Sequence, residues 1–122
     1  MLTFLFWNIN RKPLSDAIAK IAEQESVDVL ILAECEIEAS TVLRTLNKKE
    51  ALFYFAPGKT QTSPIRIFTR FPGWYFQSTF ENNRISAGRL ALPAREKILL
   101  VAVHLPSKLH SSDVSQMLEC PC

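Results

Sequence analysis

Two apolar segments in the first third of the chain decide its fold: Leu2–Asn10, which reads LTFLFWNIN, and Val27–Ala33, which reads VDVLILA. Each is apolar at consecutive positions, which is typical of a central strand covered on both faces. Between them, Pro13 suits the first turn of a helix, and apolar residues recur at helical spacing from Ala17 to Ala22. Strand, helix and strand in this order predict a βαβ unit, although an antiparallel arrangement of neighbouring strands stays open.

The rest of the chain predicts one more helix, a series of short strands and a final helix. The second helix covers residues 37–49, and the final one Asp113–Glu119. The short strands between them are Leu52–Ala56, Ile65–Phe71, Trp74–Phe80, Arg84–Leu92 and Lys97–His104. The last four, with turn signals at about ten-residue spacing, predict an antiparallel meander. Because Ile98–Val103 is again apolar on both faces, we expect it in the middle of a sheet. The fold class is α/β (α+β).

Length and composition exclude several classes of protein. With 122 residues, 48% of them hydrophobic, the chain has the size of one domain and is not disordered by composition. Its formal charge of +2 is too small to indicate a polybasic partner for nucleic acid. No apolar run approaches the ~20 residues of a membrane span, and the apolar start lacks the flanks of a signal peptide. Three cysteines, an odd number, do not form a secreted disulfide framework, so we expect a reduced cytoplasmic setting.

Polar side chains follow three of the apolar strands, at the point where each strand ends. These residues are Asn8, Glu34 and His104. Functional groups of open sheets collect at strand ends. Carboxylate and amide oxygens are hard ligands that suit Mg²⁺, and an imidazole beside a phosphate can stabilise developing charge. Lys108 would add a point charge for phosphate. The pattern therefore predicts a metal and phosphate site.

Three motifs in order carry a resemblance to the endonuclease/exonuclease/phosphatase superfamily. Phe6–Asn10 (FWNIN) resembles its first motif, in which an Asn follows an apolar strand and a Trp. Val27–Glu34 (VDVLILAE) is similar to its second motif, in which the strand ends in a metal-binding Glu. Leu100–Lys108 (LVAVHLPSK) resembles its strand-His-Leu motif, including the Ser-Lys of some members. Each motif alone is weak, but three in order are fairly specific, and the resemblance runs from Leu2 to about Leu118.

The resemblance implies a metal-dependent phosphodiester or phosphomonoester hydrolase on a four-layered α/β/β/α sandwich. Glu34 would bind Mg²⁺, or Mn²⁺ in its place, and Asn8 would support that metal site. His104 and Asn8 would be catalytic, with His104 orienting or polarising the phosphate, and Lys108 would contact substrate. Members act on DNA, RNA ends, inositol phosphates or lipid head groups, so a phosphoester substrate such as DNA or RNA is expected. A catalytic Tyr or Arg is also common in the middle of the family pattern. The candidates here are Tyr54, Tyr75, Arg84 and Arg89.

The sequence also departs from the family pattern. It has no Gly-Asp-x-Asn motif and no Asp-His pair, which in the family supply the water-activating residue and a phosphate-site histidine. The one aspartate after His104 is Asp113, in a sequence typical of a helix start. We therefore expect residues 1–122 to be a single domain that corresponds to the N-terminal part of such a domain. It would be an incomplete sandwich, with weak or no activity.

An alternative of a different class remains open. The chain could be a non-catalytic remnant that acts as an interaction module. An incomplete sandwich would leave one apolar sheet face uncovered, and an exposed apolar patch marks partner binding or self-association.

Overall fold

The structure, a computed structural model, describes residues 2–49, 52–56, 64–72, 75–82, 84–92 and 97–104. Within these residues there are two helices, α1 (Ser15–Gln24) and α2 (Ala39–Leu46), and seven strands. The strands are β1 (Phe4–Asn8), β2 (Val29–Ala33), β3 (Tyr54–Phe55), β4 (Ile65–Thr69), β5 (Phe76–Glu81), β6 (Ile85–Leu90) and β7 (Ile98–Val103). Lys108 and the predicted helix Asp113–Glu119 lie outside the described residues.

The strands form two sheets. The first has the order β1-β2-β4-β3, and β1 and β2 pair in parallel, with Phe4 opposite Val29 and Asn8 opposite Ala33. This confirms the βαβ unit. The second sheet has the order β5-β6-β7 and is antiparallel throughout. The predicted meander is thus confirmed for its last three strands. Its first strand, β4, instead pairs with β2 and β3 of the first sheet.

The apolar residues of β2 alternate between two cores. Leu30 and Leu32 point to the helix side, where they pack with residues of α1 and α2. Val29 and Ile31 point the other way and pack between the two sheets. Burial of each such side chain contributes about 1.5–3 kcal/mol, so β2 requires cover on both faces. The resulting layers are helices, first sheet and second sheet.

The expectation that Leu2–Asn10 and Ile98–Val103 are central strands is wrong for the described residues. There β1 lies at one edge of the first sheet, and β7 lies at one edge of the second. Phe6 is exposed on β1, and Leu99 and Val101 on β7 are 64% and 50% exposed. The reason is physical: an apolar pattern shows which side chains favour burial, but not which element covers them.

The outer face of the second sheet is apolar. We call the four exposed residues Phe80, Leu99, Val101 and Val103 the outer apolar face. Val101 lies opposite Ala87, and Ala87 lies opposite Phe80, so these side chains form a row across the three strands. None of the described helices is long and apolar enough to cross a membrane.

Candidate active site

The parallel register of β1 and β2 brings Asn8 and Glu34 to the same end of the first sheet. Asn8 lies opposite Ala33, the residue before Glu34. Beyond the last pair, Ile9 N donates to the Ala33 carbonyl at 3.1 Å and Arg11 N donates to the Glu34 carbonyl at 2.9 Å. The segments that follow β1 and β2 therefore leave the sheet side by side, and each carries a predicted metal ligand.

The backbone turns sharply at this end of the sheet. Glu34 has φ 51°, and Asn10 and Arg11 have φ 51° and 61°. These values lie in the left-handed region that residues other than glycine adopt at a cost. Hydrogen bonds on both sides hold the turn at Glu34: its carbonyl accepts from Arg11, and the following Cys35 N donates to the Pro64 carbonyl at 3.2 Å. In the neighbouring segment after β1, Asn10 N donates to Asn8 Oδ1 at 2.9 Å.

The second sheet supplies His104, directly after β7. Its backbone N donates to the Arg84 carbonyl at 2.6 Å, which continues the pairing of β6 and β7. Its Nε2 lies 3.3 Å from Glu34 Oε2, and both side chains are 16% exposed. Nε2 is buried and makes no hydrogen bond of good geometry within the described residues. The two groups are therefore within ion-pair distance but are not aligned as a hydrogen bond. The two sheets thus meet at a carboxylate and an imidazole.

The surroundings of Glu34 favour its ionised form. The hydrogen bond from the Asn8 side chain is the largest cause that lowers the pKa of Glu34, followed by the contact with His104. Burial acts in the opposite direction, and the charges of His104 and Arg11 lower the pKa further. The 3.3 Å distance between His104 Nε2 and Glu34 Oε2 agrees with the second of these causes. Glu34 is a carboxylate at neutral pH.

The donor set of the site fits a hydrated divalent cation. Glu34 offers carboxylate oxygens and Asn8 an amide oxygen, and Mg²⁺ is held in proteins by one or two carboxylates while it keeps several waters. Among the residues that the structure describes, no group of three or more His, Cys, Asp or Glu could hold a metal ion.

The four candidates for a catalytic Tyr or Arg in the middle of the sequence lie at different places in the structure. Arg84 is close to the site through its carbonyl, which accepts from His104 N. Tyr54 pairs with Thr69, at the end of β4 away from Glu34. Arg89 lies opposite Leu99 in the register of the second sheet. The Tyr75 ring packs edge-on against Phe71, with 6.1 Å between centroids.

Sequence reasoning missed Arg11, whose charge acts on Glu34. Arg11 Nε also lies 3.5 Å from Glu36 Oε2, and both side chains are exposed. Its position directly after the FWNIN motif was the available signal.

Solved structures of endonuclease/exonuclease/phosphatase proteins are similar to this chain in fold. A family protein from Leptotrichia buccalis matches with a TM-score of 0.59 and 13% identity, over 98% of this chain and 61% of that protein. One from Beutenbergia cavernae matches with a TM-score of 0.60 and 16% identity, over 97% and 42%. The endonuclease domain of TRAS1, a telomere-specific non-LTR retrotransposon, matches with a TM-score of 0.55 and 14% identity, over 97% and 52%.

These matches rest on structure, because neither a protein-family model nor a curated protein sequence matches the chain. The chain spans about half the length of the structures that it matches, between 42% and 61%. The resemblance indicated by the three sequence motifs is confirmed at the level of fold. The chain has the α+β fold of the endonuclease/exonuclease/phosphatase family.

Proposed function

We propose that this chain carries the metal-binding and phosphate-binding residues of a divalent-metal-dependent phosphoester hydrolase. The observation that supports the proposal is the approach of His104 Nε2 to within 3.3 Å of Glu34 Oε2. This contact joins the ends of two sheets, beside Asn8, in a fold shared with nucleases and phosphatases. Such a juxtaposition of carboxylate, amide and imidazole suits hydrolysis of a phosphate ester.

Each residue has a distinct role in the proposal. Glu34 and Asn8 bind Mg²⁺ or Mn²⁺ through oxygen, and Asn8 also orients the Glu34 carboxylate by its hydrogen bond. When bound, the cation supplies positive charge that stabilises a reacting phosphate. His104 binds a nonbridging phosphate oxygen, and Lys108 contacts the substrate.

The proposed substrate is a phosphodiester, in DNA or RNA. Support comes from the matched endonuclease domain of a retrotransposon and from the cation Arg11, whose charge acts on Glu34. We further propose that residues 1–122 act as a single unit equivalent to the N-terminal part of such a domain. Without a Gly-Asp-x-Asn motif in its sequence, this unit has weak or no turnover alone. A reducing cytoplasm suits Cys35, a buried free thiol.

Metal binding tests the proposal more directly than turnover does. We expect the chain to bind Mn²⁺, measured as loss of the free-ion signal in electron paramagnetic resonance. Glu34→Gln removes the carboxylate charge of a proposed ligand and should weaken binding by at least the ~10-fold that loss of a group behind a ligand costs. Glu36→Gln is the matched control, because Glu36 is an exposed carboxylate two residues away that pairs with Arg11.

Two outcomes would contradict the proposal: no Mn²⁺ binding by the wild-type chain, or equal binding by the wild-type and Glu34→Gln chains. A second assay follows cleavage of plasmid DNA and of a generic phosphodiester with Mg²⁺. Any turnover should disappear in both Glu34→Ala and His104→Ala.

The outer apolar face favours a second candidate function. Leu99 and Val101 are half or more exposed, and β7 lies at a sheet edge in the described residues. Exposed apolar faces and free strand edges promote association. The alternative proposal is an interaction module that binds a second copy of itself, since identical faces can form a two-fold interface.

A further inference from the structure

Arg66 is a charged residue inside a strand that is otherwise buried and apolar. It lies in β4, where all five residues are buried, and it is 4% exposed. Its neighbours Ile65 and Ile67 pack between the two sheets, so the Arg66 side chain points to the helix side. Burying a guanidinium is costly unless hydrogen bonds compensate it. An apolar residue would serve the core better, so a role other than core packing is needed to explain this arginine.

The Arg66 guanidinium reaches the segment that follows Glu34. In the register of the first sheet, Arg66 lies opposite Leu32, two residues before Glu34. From there its Nη1 donates to the carbonyl of Ile37, which lies between the end of β2 and the start of α2. The bond therefore links β4 to the loop that follows its neighbouring strand, β2.

A second bond ties the same loop to the same end of β4. Cys35 N donates at 3.2 Å to the carbonyl of Pro64, the residue before β4. The loop after Glu34 is therefore anchored at two points, one to the backbone of Pro64 and one to the side chain of Arg66. Glu34 itself has φ 51°, a conformation that persists in a residue with a side chain only when its surroundings hold it.

We propose that Arg66 is a positioning residue for Glu34. It holds the loop in the conformation that turns Glu34 toward Asn8 and His104, and so acts on the metal site without touching it. The metal part of this inference rests on the proposed function, whereas the conformational part does not. Outer groups that orient a metal ligand typically change affinity by about 10–100-fold when removed.

The test compares Arg66→Met, which keeps the length of the side chain but removes charge and donors, with Thr69→Val. Thr69 is the matched control because it is also a fully buried polar residue of β4, and its Oγ1 donates to Phe71 at the opposite end of the strand. Amide hydrogen exchange, measured by NMR on the metal-free full chain, reports the loop directly.

We expect Arg66→Met to accelerate exchange of the Cys35 and Arg11 amides by about tenfold or more relative to the Ile31 amide in the middle of β2. In Thr69→Val, the exchange rates of the Cys35 and Arg11 amides relative to the Ile31 amide should equal those of the wild type. If Arg66→Met leaves them unchanged, or if Thr69→Val accelerates them equally, the positioning role is wrong. Should Arg66→Met fail to fold, Arg66→Lys keeps the charge but lacks the planar fork, and it should accelerate the same two amides.

Mn²⁺ binding provides the second measurement. We expect Arg66→Met to weaken Mn²⁺ binding by about tenfold, with no change in Thr69→Val. If the wild-type chain binds no Mn²⁺, the proposed function fails, while the exchange of the Cys35 and Arg11 amides still decides the role of Arg66. If Arg66→Met binds Mn²⁺ as tightly as the wild type, the positioning role at the metal site is overturned.

Discussion

Glu34 is the residue on which the candidate site depends. Its carbonyl accepts from Arg11 N, its carboxylate lies beside His104 Nε2, and the Asn8 side chain lowers its pKa. These groups come from both sheets, so the ionised side chain of one residue joins the two halves of the structure. The pKa of Glu34 therefore reports on these neighbouring groups.

Removing the Asn8 side chain should raise the pKa of Glu34 toward its ordinary value of 4.5, because the Asn8 hydrogen bond is the largest cause of the lowering. The measurement is an NMR titration of the Glu34 carboxyl carbon in Asn8→Ala, without metal. Asn10→Gly is the control: Asn10 contributes a backbone N–H, which remains, and glycine tolerates its φ of 51°. An unchanged Glu34 titration in Asn8→Ala would contradict the assigned cause.

The lowered pKa of Glu34 also predicts a dependence of stability on pH. The folded-state pKa lies below the unfolded value, so ionised Glu34 contributes stability that is fully present above about pH 4.5. This contribution is lost as the pH falls through the lower, folded-state pKa. The difference in free energy of unfolding between wild type and Glu34→Gln should therefore shrink below pH 4.5 in metal-free urea titrations. A difference that stays constant from pH 7 to pH 3 would argue against it.

At the scale of elements, the packing of β5 against β6 depends on a glycine. A Cβ placed on Gly88 would overlap the ring of Phe76, which is fully buried between the sheets. The two residues lie on neighbouring strands, with Ser78 opposite Gly88 and Phe76 opposite Leu90. Gly88 therefore lets a large aromatic ring occupy the space beside the strand backbone.

Gly88→Ala should lower the free energy of unfolding by about 1–3 kcal/mol, because overpacking forces the Phe76 ring or the backbone to move. The measurement is urea unfolding followed by circular dichroism. In the double variant Gly88→Ala/Phe76→Leu the smaller side chain leaves room for the methyl group, so the two changes should cost less than their sum. Additive effects, or a stable Gly88→Ala, would show that the ring does not depend on this glycine.

The elements differ in how well local pattern predicts them. The βαβ unit is confirmed because β1 and β2 pair in parallel and α1 lies between them in the sequence. The alternating residues of β2 pack on both faces, as its apolar pattern predicts. By contrast, β4 has the same short apolar pattern as its successors but pairs with β2 instead of joining the meander. Periodicity is a local property, whereas the choice of partner strand depends on contacts between distant segments. This explains why sheet membership was only partly predicted.

At the scale of the whole molecule, the outer apolar face determines how copies of the chain should behave. The chain has an excess of two positive charges, a net +2, which provides little electrostatic repulsion between copies. The described residues of sheet two leave Leu99 and Val101 exposed. Association through this face would remove apolar area from water, which is the physical basis of the alternative function.

We expect the apparent mass of the wild-type chain to rise with concentration in light scattering, and Leu99→Glu to abolish that rise. Leu52→Glu is the matched control, because Leu52 is 63% exposed, close to the 64% of Leu99, but lies outside the outer apolar face. Equal effects of the two variants would indicate nonspecific association. A wild-type chain that stays monomeric at all concentrations would overturn the self-association proposal.

The sequence by itself determined which chemical groups stand at the strand ends and which segments favour burial. Asn8, Glu34 and His104 each follow an apolar strand, and strand ends are where polar groups emerge from a sheet. Only the tertiary structure decided that His104 of the second sheet lies 3.3 Å from Glu34 of the first. It also decided that Arg66 reaches the loop after Glu34 and that β1 and β7 lie at sheet edges in the described residues. Residue type and periodicity are local, but distances between sheets depend on how the two apolar cores pack.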